Sequence, residues 1–315
     1  MTIKGRSILI TGGTGSFGNA FVDRILSEAP NRVVIYSRDE HKQEIMARRL
    51  GAWGIDHRFL RFFLGDVRDV DRLSMACNGI DTIIHAAALK IVPTAEYNPT
   101  EVTATNIRGA ENVVKAAIRS GVKSVLALST DKAVNPINLY GASKLAAEKV
   151  FIASNSLSAG RTAFTVMRYG NVVGSRGSVL PVFREQAAAG KEITLTDERM
   201  TRFWITLSQA VEFSLYCLGV MAGREIFVPK IPSIHIKDLA ACFGDSYQIT
   251  GIRPGEKLHE TLISEDEARN TINLKTAYLI NYGKEYFRGM VPENFSYRSD
   301  TNDWWLDTEA IKRTL

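Results

Sequence analysis

The chain has 315 residues, 45% of them apolar, and 39 basic against 34 acidic side chains give a formal net charge of +5. That is enough for one large α/β unit, alone or with a smaller appendage, and too weak and scattered a basic excess to mark a nucleic-acid surface. No apolar run is long enough to span a bilayer, and the three cysteines (Cys77, Cys217 and Cys242) lack the spacing of a disulfide framework or a metal site. The opening "MTIKGR" leads into a strand with no signal-peptide apolar region, so the chain reads as cytoplasmic, without membrane or nucleic-acid partners.

In chain order, "RSILIT" (6–11) reads as a strand and "FGNAFVDRILSEA" as an amphipathic helix. "RVVIYS" (32–37) is a second strand and "EHKQEIMARRL" a second helix. "RFLRFFLGD" is a strand, "VDRLSMAC" a short helix and "GIDTIIHAA" a strand. A long helix "VTATNIRGAENVVKAAIRSG" precedes the strand "KSVLALST", and the helix "GASKLAAEKVFIASNSL" precedes the strand "TAFTVMRYGNV". Such alternation predicts an α/β fold, a Rossmann-type doubly wound parallel sheet covered on both faces. After about Asn171 the rhythm changes. "GSRGSVLPVFREQAAAG" turns helical, "KEITLT" is a short strand, "LSQAVEFSLYCLGVMAG" a helix, and "IRPGEKLHETLIS" a turn before a helix start. Residues 1–170, with returning segments of the C-terminal half, are expected to form the dinucleotide-binding domain. Residues 171–315 are expected to form mainly a smaller mixed α/β cap over the carboxyl edge of the sheet, where open α/β sheets bind ligands.

The first turn, "TGGTGSFG" (11–18), places Gly12, Gly15 and Gly18 at G-x-x-G-x-x-G spacing, with Thr14, Ser16 and Phe17 completing the loop. Glycines there let backbone approach a pyrophosphate at a helix N-terminus. The second strand ends "YSRDE", putting Ser37 and Arg38 where an acid would bind a ribose 2′-hydroxyl. A hydroxyl and a guanidinium suit a 2′-phosphate, so NADP is favoured over NAD, the alternative being that Asp39 takes the acid's place. Asp66, followed by Val67, sits where it could accept a hydrogen bond from adenine. Ala86, Ala87 and Ala88 of "HAAALK" keep backbone close to the cofactor, and Lys90 can reach cofactor or substrate.

The stretch "STDKAVNPINLYGASK" (129–144) contains Tyr140 and Lys144 one helical turn apart. A nearby ammonium and an oxidised nicotinamide favour the phenolate, so Tyr140 can take a proton from a substrate hydroxyl as hydride leaves. Ser129 or Thr130 can hydrogen-bond that oxygen. The phosphate loop joined to Tyr-x-x-x-Lys resembles the extended short-chain dehydrogenase/reductase family. More narrowly, this stretch with "RYGNVVGSRGSVLPVF", "MTRFWIT", "RPGEKLHE" and "FSYRSDTNDWWL" resembles the soluble UDP-N-acetylglucosamine 4,6-dehydratases that invert carbon 5. A membrane-bound branch carries an N-terminal transmembrane region not found here, and another branch has methionine where Tyr140 stands.

The resemblance implies Tyr140 acting at carbon 4, Lys132 as the base at carbon 5 and Asp131 as the acid that helps the carbon 6 hydroxyl leave. Hydride returns from NADPH to carbon 6. The same resemblance implies UDP-N-acetylglucosamine as substrate, a place at the start of pseudaminic acid synthesis, and a homo-oligomer, dimer or hexamer. It further implies substrate contacts at Lys90, Asn171, Arg176, Val179, Thr194, Arg202, Arg253 and Glu256, although any of these arginines could equally be a structural ion pair. Burial and the charges of Lys144 and nicotinamide would lower the Lys132 pKa while Asp131 would raise it, and the sequence leaves the winner open. His235 and His259 lack metal-ligand spacing, and Trp304 and Trp305 are expected to pack on the domain or on a partner subunit. Two other readings stand beside this one. A UDP-sugar 4-epimerase would need Tyr140 and Lys144 but not Lys132, and a non-catalytic NADP-sensing or RNA-binding regulator would need neither.

Overall fold

The computed structural model of the chain describes residues 3–54, 59–175, 178–244, 246–282 and 289–315. Aliphatic and β-branched runs bounded by turns form β1 (Ser7–Thr11), β2 (Arg32–Ser37), β3 (Leu60–Leu64), β4 (Thr82–His85), β5 (Ser124–Thr130) and β6 (Ala163–Tyr169). Between them run α1 (Ser16–Ile25), α2 (Glu40–Ala52), α3 (Val70–Ala76), α4 (Val92–Tyr97), α5 (Pro99–Val102), α6 (Gly109–Arg119) and α7 (Leu139–Leu157).

The remainder begins with β7 (Asn171–Val172), α8 (Val179–Ala188), β8 (Ile193–Leu195), β9 (Thr201–Ile205), α9 (Leu207–Val220), β10 (Glu225–Pro229) and β11 (Ser233–His235). It continues through α10 (Ile236–Ala240), β12 (Tyr247–Ile249), β13 (Thr261–Ile263), α11 (Glu265–Ala268), β14 (Thr271–Asn273), β15 (Ala277–Asn281), β16 (Tyr297–Arg298) and α12 (Thr308–Lys312).

Among the described residues the main sheet runs β14-β15-β10-β6-β5-β4-β1-β2-β3. The pairs from β3 across to β10 are parallel, and β15 is antiparallel to both its neighbours. This is the doubly wound sheet. Its order reverses between β1 and β4, which opens a crevice at their carboxyl ends. Every residue of β1 and β5 is buried, as strands covered on both faces require. A second apolar cluster lies outside the sheet, with Leu180, Phe183, Ile193, Trp204, Ile234 and Leu239 at its centre. Trp305 packs on the domain, stacked on His235 with ring centroids 4.5 Å apart. No helix of the described residues is long and apolar enough to cross a membrane.

Two elements differ from the sequence expectation. The long helix before β5 passes through a π-helical segment, Thr103–Arg108, before continuing as α6, and such bulges collect at functional sites. The stretch after "RPGEK" enters strand β13 rather than a helix, because Thr261–Ile263 pairs with β16; helix α11 starts later, at a Ser264–Glu267 capping box.

Candidate active site

The crevice opens into a cavity of about 550 Å³ that runs from the loop after β1, past the ends of β4 and β5, to α7 and β7. Gly12 makes the turn at φ +66°, and a Cβ on it would lie 2.9 Å from the Ala87 backbone nitrogen. Gly15 is the N-cap of α1, so free amides at the start of a ten-residue helix face the cavity. Ser16, Phe17, Gly18, Ala86, Ala87, Ala88, Val67 and Lys90 line the same wall. Thr14 stands behind it, its hydroxyl 2.8 Å from that of Ser37. A cradle of backbone with no room for side chains fits a dinucleotide's phosphates.

At the far end Ser37, Arg38, Asp39, Lys42 and Asp66 border the cavity. The Asp39 carboxylate caps α2 by accepting from the Lys42 amide at 2.9 Å, and it also pairs with the Lys42 ammonium. Asp66 accepts from Arg68 at 2.8 Å and lies 3.6 Å from Arg38. Burial works against the ionised Asp66, yet these arginines hold its pKa below the usual carboxylate value.

The chemistry-bearing side chains come from the end of β5, the short turn Asp131–Ala133 and the first turns of α7. Asn138 caps α7 by accepting from the Gly141 amide at 2.8 Å, and its Nδ2 donates to the Gly255 carbonyl at 2.8 Å. Gly141 is needed because a Cβ there would collide with the Lys132 carbonyl. Neighbours on β5 point to opposite faces. Ser129 donates its hydroxyl to Glu148, whereas Thr130 donates to Asp131 Oδ1 at 2.8 Å. Both residues border the cavity, and of the two Thr130 is the one that acts on Tyr140, lowering its pKa.

Lys132 Nζ lies 3.1 Å from Asp131 Oδ1 and 3.3 Å from Glu260 Oε1. Burial would lower its pKa, but the two carboxylates outweigh burial and hold it well above an ordinary lysine. This resolves the question the sequence left open: Lys132 rests as an ammonium. Burial pushes the Tyr140 phenol up to about 12, opposed first by the Lys132 charge and then by the Thr130 hydrogen bond. Lys144 donates to the Leu128 carbonyl at 2.6 Å, and burial brings it down to about 8 against the pull of Glu148. The cation that relieves Tyr140 in this arrangement is thus Lys132.

Asn171 lines the cavity, its Oδ1 buried and without a partner among the described residues. Other expected substrate contacts lie off the cavity wall. Arg202 donates to the carbonyls of Thr201 (2.7 Å), Leu258 (3.0 Å) and Lys257 (3.0 Å), Thr194 accepts from Gln186 at 2.8 Å, and Val179 packs against the second apolar cluster. Arg253 and Glu256 pair with each other. Arg176 lies outside the described residues.

Three residues escaped the sequence reading. Glu260 is 2% exposed and joins Lys132 from the far end of the chain. Asn106, in the π segment, donates to the Leu89 carbonyl and the Ser143 hydroxyl and accepts from the Leu89 amide, each at 2.9 Å. Thr105 beside it lines the cavity with its hydroxyl unpartnered among the described residues.

Comparison with known proteins agrees with this geometry. The chain is 48% identical to a Campylobacter jejuni (strain 81-176) protein named UDP-N-acetylglucosamine 4,6-dehydratase (inverting), over 98% of this chain and 96% of that one. It is 43% identical to a Rickettsia typhi protein named UDP-glucose 4-epimerase, over 90% and 87% of the two chains. The solved structure of Pen from Bacillus thuringiensis superposes with a TM-score of 0.91 at 35% identity, covering 99% and 98% of the chains. Residues 8–282 match the model of the family described as polysaccharide biosynthesis protein, and the chain belongs to that family, built on the extended short-chain dehydrogenase/reductase fold.

Proposed function

We propose that the chain is an NADP-dependent enzyme that dehydrates UDP-N-acetylglucosamine to a UDP-4-keto-6-deoxy-N-acetylhexosamine inverted at carbon 5. The observation that carries the proposal is Lys132 beside Tyr140 on one cavity wall, with the buried Asp131 carboxylate 3.1 Å behind the Lys132 ammonium, so that elimination and redox groups share a substrate. A bound nicotinamide dinucleotide, which the phosphate cradle fits, supplies hydride acceptance at carbon 4 and hydride return at carbon 6.

The chain's own groups move the protons. Tyr140 acts as the base at the carbon 4 hydroxyl once its phenol has lost its proton to solvent, the Lys132 charge favouring the phenolate against burial. The resulting ketone acidifies carbon 5. Lys132 passes its proton across 3.1 Å to Asp131 and becomes the amine that removes the carbon 5 proton. Asp131, now protonated, gives that proton to the departing carbon 6 oxygen, which leaves as water. Lys132 and Asp131 finish as they began. As hydride reaches carbon 6, carbon 5 takes a proton of solvent origin from the face opposite Lys132, as inversion requires. Tyr140 releases to solvent the proton it took at carbon 4, so the cycle balances.

NADP is favoured by the adenosine end of the cavity. Arg38 and Lys42 both border it, and the Asp39 carboxylate is spent on capping α2 and on Lys42. A 4-epimerase, the name carried by the Rickettsia relative, would use Tyr140 and Lys144 and leave the Lys132 cluster without a task. Proton NMR of UDP-N-acetylglucosamine turned over in heavy water separates the two. A carbon 6 methyl with deuterium at carbon 5 supports the dehydratase; a galactose-configured product without exchange refutes it. The pathway served, pseudaminic acid synthesis, is part of the same proposal and is tested by whether the product is a substrate for a 4-aminotransferase of that route.

A further inference from the structure

We infer that Glu260 is a positioning residue for Lys132, holding its amine at the cavity wall and keeping it charged until carbon 4 of the sugar has been oxidised. The inference rests on the dehydratase reading above. It starts from placement. Glu260 immediately precedes β13, and its backbone is fixed from both sides by Ser299: its amide donates to Ser299 Oγ at 2.9 Å, and the Ser299 amide donates to its carbonyl at 2.8 Å. The side chain is buried, with Oε1 3.3 Å from Lys132 Nζ and 3.9 Å from Arg202 Nε. Its Oε2 is buried with no partner among the described residues.

A buried carboxylate kept purely for stability is normally saturated with donors, since each open oxygen costs desolvation with no return. Glu260 is not saturated, and its one close cation is the side chain assigned to carbon 5. Arg202 reaches Glu260 only through Nε at 3.9 Å, its terminal NH groups being given to the carbonyls of Thr201, Lys257 and Leu258. The charged and titratable groups around Lys132 are Asp131 on its own turn, Glu260 before β13, Arg202 on β9, Lys257 in the loop between them and Tyr140 on α7.

The chemistry gives the two carboxylates different tasks. Asp131 must be protonated when it acts as the acid, and at that moment it no longer counterbalances Lys132. Glu260 is then the remaining anion beside the lysine, and it meets the ammonium that re-forms when the carbon 5 C–H electron pair moves into the carbon 4 carbonyl as an enolate. Earlier, during oxidation, it holds Lys132 as the cation that eases Tyr140.

The test is the pH profile of carbon 5 deuterium exchange in the NADP-loaded enzyme, alongside nucleotide affinity. An opposite charge at this range moves a pKa by about one unit or more. Glu260→Gln keeps the shape and removes the charge, so the falling limb, on which Lys132 loses its proton to solvent, should shift to lower pH by about one unit. Glu260→Asp keeps the charge at a longer reach and should shift it by a smaller amount in the same direction. NADP affinity should stay at the wild-type value in both. An unchanged limb in whichever variant folds overturns the inference, whatever happens to the rate, since a purely structural carboxylate would change rate or stability and leave the limb in place. If the wild-type enzyme itself shows no carbon 5 exchange, the dehydratase reading fails and the role of Glu260 falls with it. Wild-type exchange with an unmoved limb sinks the Glu260 assignment alone.

Discussion

Two buried ion clusters flank the end of β5, each with a cation set between two carboxylates, and they are finished differently. In the first, Arg168 on β6 donates to Glu148 on α7 (2.6 and 3.1 Å) and to Glu267 on α11 (3.0 Å twice), and also to the Leu262 carbonyl. Ser129 completes Glu148, and Ser264 completes Glu267. In the second, Lys132 sits between Asp131 and Glu260, and each carboxylate keeps one buried oxygen without a partner among the described residues. One cluster is saturated and ties the C-terminal part of the chain to the sheet. The other is left open at the cavity. On the proposed reading, an ion cluster serves structure where its acceptors are filled and chemistry where they are left open.

Breaking the open cluster should cost activity most. Lys132→Met should lower carbon 5 exchange by about 10²- to 10⁴-fold with NADP binding retained; full exchange in that variant would remove Lys132 from the mechanism. Breaking the closed cluster should cost stability instead. Arg168→Met strands two buried carboxylates and should lower the urea unfolding free energy by about 3–5 kcal/mol. A loss no larger than that of Lys132→Met would erase the distinction between the clusters.

Lys144, beside both, gives a pH test. Its folded pKa is about 8 against 10.5 for an ordinary lysine. Between those values the unfolded chain holds the proton and the folded chain does not, so this group makes stability rise with pH across that window. The rise should reach about 3 kcal/mol and should vanish in Lys144→Met, as read by unfolding at a series of pH values. The smallest effects should divide neighbours on β5. Ser129→Ala should cost about 1 kcal/mol of stability with little change in turnover, and Thr130→Val should do the reverse, slowing oxidation at carbon 4.

The sheet was legible because period and order are local. Strand runs, the glycines of residues 12–18 and the Tyr140–Lys144 spacing each lie within a few residues of one another. The closeness of Asp131, Lys132 and Tyr140 was legible through the same stretch. What stayed hidden was pairing over long sequence distances. Glu260 meets Lys132 across more than a hundred residues and joins Asp131 in raising its pKa against burial. Arg202 and Arg253 were left between substrate contact and structural ion pair, and an arginine in a recognisable motif gives no sign of which donors go to backbone carbonyls or to the nearest glutamate. The "RPGEK" turn was visible, but the strand after it depended on a partner, β16, far along the chain.

The most direct test sets one amide replacement in each cluster side by side. UDP-N-acetylglucosamine is incubated in heavy water with Asp131→Asn and with Glu148→Gln, and proton NMR follows carbon 5 deuterium and the carbon 6 methyl. The account predicts that the Glu148→Gln enzyme is less stable yet still forms the deuterated methyl product, while the Asp131→Asn enzyme folds and forms no methyl. Methyl product from Asp131→Asn at the wild-type rate would contradict it.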